Sequence, residues 1–134
     1  MIVQDRVELA KILSSLRKKG KRIVFTNGCF DLMHKGHVEY LAAARALGDV
    51  LVLGLNTDES VRKFKGDLRP VMPLESRMSV VDALRSVDYV IPFSERTPEA
   101  LILALKPDIH VKGGDYTEAQ LPEAKAVLRY GGQV

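Results

Sequence analysis

The sequence predicts a parallel α/β sheet, doubly wound with helices on both faces, and three observations carry that prediction. Two near-continuous apolar runs, residues 23–25 and 50–56, suit strands buried on both faces. Stretches with apolar residues at helical spacing alternate with these runs, which implies right-handed crossovers between parallel neighbours. The chain has 134 residues, 46% of them hydrophobic, enough to close one core and fit a single domain.

Each element has its own justification. Residues 5–19 carry Leu9, Ile12, Leu13 and Leu16 at helical spacing and stop before Gly20, as an amphipathic covering helix does. Ile23, Val24 and Phe25 suit the first strand and Gly28 permits a turn, while Ala42, Ala43, Ala44 and Ala46 favour a helix running to Gly48. Residues 50–56 form the second strand, with Asn56 at its carboxyl end, and Thr57 or Asp58 caps a short helix through Phe64. Residues 65–73 are polar and irregular, closed by Pro70 and Pro73. Helical spacing resumes over 74–87 through Met78, Val81 and Leu84, and residues 88–93 form a third strand with Pro92 at its very end.

Thr97, Pro98 and Glu99 read as N-cap, first-turn proline and first-turn acid of a helix through Leu105 that Pro107 terminates. Residues 109–112 are a short fourth strand and 113–116 a turn. Pro122 opens a helix to Tyr130, and Gln133 and Val134 begin a fifth strand.

Composition narrows the function classes. The net charge of +3 comes from scattered basic pairs such as Lys18-Lys19 and Lys21-Arg22, a surplus that suits an anionic ligand but is too small to argue for nucleic acid. Only 6% of residues are aromatic and Trp is absent, so stacking platforms for single strands are sparse. Cys29 is the one cysteine and cannot form an internal disulfide, and the first residues lack the charged-then-apolar layout of a signal peptide. No apolar run approaches the ~20 residues of a membrane span. These features predict a cytoplasmic protein with no membrane partner.

In such sheets ligands bind outside the carboxyl ends of the strands, at the switch point. The loops after the first, second and fourth strands, residues 27–33, 56–58 and 112–116, fall on that edge and hold most of the unusual residues. His34 and His37 are expected in the first turn of the helix after the first strand, sharing a face where helix amides and dipole attract anions. Gly36 then removes a Cβ where a ligand could approach the backbone. Three readings of the histidines compete: metal ligands, surface histidines, or donors to phosphate. Cys29 with the distant His110 makes no convincing zinc set, and the glycine loop favours phosphate, so no metal site is expected. Cys29 has no visible adjacent base and reads as a small structural residue at a strand exit.

The run Gly28-Cys-Phe-Asp-Leu-Met-His34-Lys-Gly-His37 resembles the Gly-x-Phe-Asp-x-x-His-x-Gly-His signature of the cytidylyltransferase-like nucleotidylyltransferase superfamily. Thr26-Asn27-Gly28-Cys29-Phe30-Asp31, Lys65-Gly66-Asp67-x-Arg69-Pro70-Val71, Pro73-Leu74-Glu75-x-Arg77 and Val111-Lys112-Gly113-Gly114-Asp115-Tyr116 together are similar to one branch of it. That branch makes ADP-heptose from D-glycero-D-manno-heptose 1-phosphate and ATP, for lipopolysaccharide or surface-glycan precursors. The first motif alone is shared with many nucleotidyl transferases; four segments in order are specific.

The resemblance implies a Rossmann-like fold and an adenylyltransferase in which a sugar phosphate oxygen attacks the α-phosphorus of ATP and pyrophosphate leaves, without a covalent enzyme intermediate. It implies His34, His37 and Lys65 as catalytic residues, with Lys65 closing over the phosphates. Asn27, Gly28, Cys29, Phe30, Gly36, Asn56, Lys112, Gly113, Gly114 and Asp115 would bind the nucleotide, and Asp31, Arg69 and Arg77 the sugar phosphate. For Lys65, Arg69 and Arg77 the competing reading is solvated charge. For residues 112–115 it is a plain turn, and for Asp31 and Asp58 a helix cap. Mg²⁺ is expected with ATP, held by phosphates and water rather than by a protein cage. A homodimer is expected by the same resemblance.

The family continues past the position of Val134 into a fifth strand and a Ser-Thr-Thr-type segment. The expected organisation is therefore one domain over 1–134, a covering helix in 1–20 and a catalytic core in 21–134, with the C-terminal segment missing. Met1 directly before the covering helix predicts a stand-alone module without the sugar kinase fused to some relatives. Two alternatives stand beside this reading: a cytidylyltransferase for a small phosphorylated alcohol such as glycerol 3-phosphate, and a catalytically incomplete nucleotide-binding module.

Overall fold

The computed structural model describes residues 1–112, so the turn, helix and fifth strand expected beyond them lie outside the described residues. Four parallel strands, β1 (Ile23–Gly28), β2 (Val50–Asn56), β3 (Tyr89–Phe93) and β4 (Ile109–His110), form one sheet in the order β3-β2-β1-β4. The helices are α1 (Arg6–Lys18), α2 (Lys35–Arg45), α3 (Asp58–Lys65), α4 (Leu74–Asp82) and α5 (Glu99–Leu105).

Both sheet faces are covered, as the unbroken apolar runs required. Ile23, Phe25, Val50, Val52, Ile91 and Phe93 pack on one face against Leu9 and Leu13 of α1 and Leu101, Ile102 and Leu105 of α5. Val24, Leu51, Leu53, Leu55 and Val90 pack on the other against Leu41 and Ala44 of α2 and Met78 and Val81 of α4. Full burial of each Leu or Ile contributes about 2 kcal/mol. Helix α1 therefore covers its own sheet, held further by Arg17 donating to the Leu105 carbonyl at 3.1 Å.

Register is pinned at the amino edge. Asp49, Asp88 and Asp108 each precede a strand and accept a backbone N–H from the neighbouring strand or its approach: Arg22 to Asp49 at 2.8 Å, Leu51 to Asp88 at 2.8 Å, Ile23 to Asp108 at 2.7 Å. These charge-assisted bonds resist a one-residue slip, which would turn every side chain to the wrong face. The chemistry is left to the opposite edge. Chain order reverses between β1 and β4, the switch point of the sheet.

Several boundaries differ from expectation. The helix expected over 74–87 ends at Asp82, and Ala83 caps it. Pro98, not Thr97, occupies the N-cap of α5, without a side-chain cap bond. The fourth strand ends at His110, where 109–112 was expected. Pro92 lies inside β3, opposite Leu55. Val90, two residues earlier, exchanges N–H and C=O with Val3 and Met1 on the side away from β2, so the Pro92 nitrogen also faces away from the β2 ladder and its missing N–H costs that ladder nothing.

Candidate active site

A cavity of about 420 Å³ opens where β1 ends and α2 begins. Asn27, Gly28, Cys29, Phe30 and Asp31 form its wall on the β1 side, His34 and His37 its wall on the α2 side, and Lys65 and Arg69 approach from the segment after β2. The turn after β1 is made by Phe30, which adopts a left-handed φ of 47°, whereas Gly28 is still in the strand. A Cβ on Gly28 would lie 2.8 Å from the Phe30 ring, so the glycine lets that ring fold back over the strand end. Asn27 Oδ1 is a buried acceptor with no partner among the described residues.

The two histidines are arranged differently from expectation. His34 is the N-cap of α2, in extended conformation, and only His37 lies in the first turn. His34 Nδ1 accepts the Gly36 N–H at 3.0 Å, and His37 Nδ1 accepts the His34 N–H at 3.2 Å, a reciprocal capping box built from two imidazoles. Their rings stack with centroids 4.0 Å apart. Gly36 serves this arrangement and does not line the cavity: a Cβ there would lie 2.8 Å from His34 Cε1, so the space expected for a ligand is filled by the His34 ring. The imidazoles thus take up amides that were expected to face the anion, and both rings line the cavity in their place. Burial, then His34, then Lys65 lower the pKa of His37, which keeps that ring neutral.

Asp31 was expected at the sugar phosphate, but its oxygens are committed to the backbone. Oδ1 accepts the Met72 N–H at 2.7 Å and Oδ2 the Val71 N–H at 2.8 Å, with Arg69 Nη1 farther away at 3.5 Å. Burial alone would raise its pKa; the Met72 and Val71 N–H groups and the Arg69 guanidinium outweigh burial and hold the carboxyl below its ordinary range. Lys65 is the last residue of α3 rather than part of a loop, and it is exposed at the cavity.

Arg77 does not line this cavity. It is 1% exposed, and its guanidinium donates to the carbonyls of Met72 (3.0 Å), Cys29 (2.9 Å) and Asn56 (2.7 Å) and to Asp58 Oδ1 (2.7 Å). With those donors committed it ties the ends of β1 and β2 to the segment before α4, a positioning role. Asn56 is likewise buried behind the cavity, its Nδ2 on Ser60 Oγ at 3.0 Å and its Oδ1 near Cys29 Sγ at 3.9 Å. Thr57 is the cap of α3, and Asp58 is spent on Arg77. Lys112 follows β4, half-buried, while Gly113, Gly114 and Asp115 lie outside the described residues.

Sequence reading missed Tyr40 and Leu32, both of which line the cavity. Tyr40 is three residues after His37 on α2, so helical spacing from the histidine was the available signal. Its hydroxyl meets Thr26 Oγ1 at 2.8 Å and donates to the Val111 carbonyl at 3.2 Å, linking α2 to the ends of β1 and β4.

A parallel sheet whose switch-point cavity joins a glycine-containing strand exit, a histidine-capped helix and two approaching cations defines a phosphate-handling α/β domain of the nucleotide-binding class. The chain belongs to the cytidylyltransferase-like family, whose model matches residues 25–129. It is 52% identical over 132 residues to the bifunctional protein HldE of Pelobacter propionicus and 48% identical over the same length to that of Proteus mirabilis, in each case across 98% of this chain. The match spans 27% and 28% of those relatives' own lengths. Among solved structures, the lipopolysaccharide core biosynthesis protein of Thermoplasma volcanium is 31% identical, with a TM-score of 0.72, covering 86% of this chain and 93% of that one. Pantoate-beta-alanine ligase of Francisella tularensis, 18% identical with a TM-score of 0.53 over 96% of this chain and 46% of its own, shares the fold alone.

Proposed function

We propose that this domain transfers AMP from ATP to D-glycero-D-manno-heptose 1-phosphate, giving ADP-heptose and pyrophosphate for surface-glycan precursors. The observation that carries the reading is the histidine pair, with each Nδ1 occupied by a backbone N–H and both rings lining the cavity. Two imidazole donors at a helix N-terminus stabilise charge that grows on the α-phosphate and leaving pyrophosphate as the sugar phosphate oxygen attacks. Lys65 adds a cation on the same side, and Asn27 Oδ1 offers an acceptor for a hydroxyl or amino group of the ligand. The names of the HldE relatives and of the lipopolysaccharide core biosynthesis neighbour support the sugar-nucleotide assignment.

Among the described residues no group of three or more His, Cys, Asp or Glu is placed to hold a metal, and the oxygens of Asp31 are spent on Val71 and Met72. This donor set fits Mg²⁺ carried in on the triphosphate, where it would neutralise phosphate charge while coordinated by phosphate oxygens and water. Among the described residues no helix is long and apolar enough to cross a membrane. A cytoplasmic homodimer belongs to the same reading.

The deciding experiment is pyrophosphate release with ATP and with CTP, each against heptose 1-phosphate and glycerol 3-phosphate. ATP with the heptose is expected to be turned over fastest. Preference for CTP overturns the assignment in favour of a cytidylyltransferase, and nucleotide binding without turnover favours a binding module. Light scattering of the chain checks the dimer.

A further inference from the structure

We propose that Asp31 is the fixed anchor of the segment over residues 66–73, and that Arg69, expected at the sugar phosphate, is parked on Asp31 as a transferable cation that moves to a phosphate of bound ATP while the segment stays anchored. The inference rests on the reading of the cavity as a phosphate site.

The bonds at Asp31 are of two kinds. Those from the Met72 and Val71 N–H groups, at 2.7 and 2.8 Å, have the length of strong charge-assisted hydrogen bonds. Arg69 Nη1, at 3.5 Å, sits at the limit of a hydrogen bond and shares Oδ2 with Val71. Losing Arg69 therefore leaves each Asp31 oxygen still satisfied, whereas losing the backbone donors would strand a carboxylate whose side chain is only 10% exposed. The lowered pKa of Asp31 agrees with an oxyanion held by those amides.

The anchor is double. The carbonyl of Met72, the residue whose N–H reaches Asp31, accepts from Arg77 Nε at 3.0 Å, and the same guanidinium holds the ends of β1 and β2. Met72 is thereby gripped on its N–H from the β1–α2 loop and on its C=O from inside the domain. Between α3 and that grip the chain is loosely attached: Leu68 is 91% exposed, and the Arg69 side chain is 47% exposed at the cavity. A phosphate offers a guanidinium two charged oxygens in fork geometry, a better partner than one oxygen at 3.5 Å already shared with an amide. Asp31 itself, an anion beside the cavity, is a poor contact for phosphate, and the parked Arg69 screens it until substrate arrives.

Amide hydrogen exchange of the 134-residue chain, read by NMR with and without ATP, tests this. The Val71 and Met72 amides are expected to stay protected in both states, while the Arg69 Nε resonance shifts on ATP addition. In Asp31→Asn those two amides should exchange roughly tenfold faster, with Val24 and Val52 in the sheet unchanged. In Arg69→Ala they should remain protected while the Kd for ATP rises roughly tenfold. Deprotection of Val71 and Met72 by Arg69→Ala, wild-type affinity for ATP in that variant, or unchanged protection in Asp31→Asn overturns the proposal. If Asp31→Asn does not fold, the wild-type titration decides, because loss of Val71 and Met72 protection on ATP addition also overturns it. Exchange in the absence of ATP needs no turnover, so a chain that makes no ADP-heptose but shows this pattern rejects the proposed reaction and keeps the anchor.

Discussion

His34 and His37 cap one helix end reciprocally: each imidazole gives its Nδ1 to a backbone N–H, Gly36 to His34 at 3.0 Å and His34 to His37 at 3.2 Å. A neutral imidazole with Nδ1 acting as acceptor carries its proton on Nε2. The cap therefore selects the tautomer that gives each ring an Nε2–H donor at the cavity. Structure and chemistry share these two side chains, and their substitution separates the two roles.

His34→Ala removes a cap as well as a donor. It should lower stability by about 1 kcal/mol and turnover by about 10²-fold or more. His34→Asn restores an N-cap acceptor without an Nε2 donor, so thermal denaturation should return close to wild type while pyrophosphate release stays low. Recovery of both together would show that the histidine acts only as a cap.

The neutral state of His37 makes a pH prediction. Its folded pKa lies below the ordinary 6.5, through burial first, then His34 and Lys65. The unfolded chain thus binds the proton more tightly, and stability should be full above pH 6.5 and fall as pH drops from there toward the lower folded value. Asp31, with its pKa lowered, titrates in a more acidic window, so the two effects separate. Melting temperature followed between about pH 7.5 and 5.5 should show this slope in the wild type and lose it in His37→Asn. An unchanged slope in the variant would assign it to another group.

Lys65→Ala tests whether the cation acts in the transition state. A fall in kcat with KM nearly unchanged is expected, and a change in KM alone would mean uniform substrate binding. Because Lys65 contributes to lowering the pKa of His37, the same substitution should raise that pKa, visible in an NMR titration of the His37 ring.

How much of this was legible in the sequence depends on the range of each contact. Residues 50–56 matched β2 end to end because burial on both faces leaves one continuous apolar signature. The stop of α1 before Gly20 is local chemistry and was equally readable, whereas Asp5, expected inside the helix, is its N-cap. The cavity residues from Asn27 to His37 came from one contiguous motif. What stayed hidden was long-range or atypical. Nothing in Asp31 announces that it accepts amides 40 and 41 residues away, and nothing in Arg77 announces that it is buried under the carbonyls of Cys29, Asn56 and Met72. Histidine is not a usual N-cap, so its Nδ1 role and the reason for Gly36 became visible only with the ring in place.

Arg77 carries the last prediction. Its guanidinium makes four hydrogen bonds in a fully buried setting, three to carbonyls and one to Asp58. Arg77→Ala leaves Cys29, Asn56 and Met72 carbonyls without that donor and Asp58 without its cation, so a loss of about 3 kcal/mol in denaturant unfolding is expected. Arg77→Lys should recover little of it, because a single ammonium cannot reproduce the planar fork that spans the ends of β1 and β2. A reading of Arg77 as substrate ligand predicts the opposite pattern, with stability intact and KM for the sugar phosphate raised. Urea unfolding beside initial rates on both variants distinguishes them: an arginine that positions must lower stability and displace the cavity wall at Cys29, whereas an arginine that binds must leave the unfolding midpoint where it was.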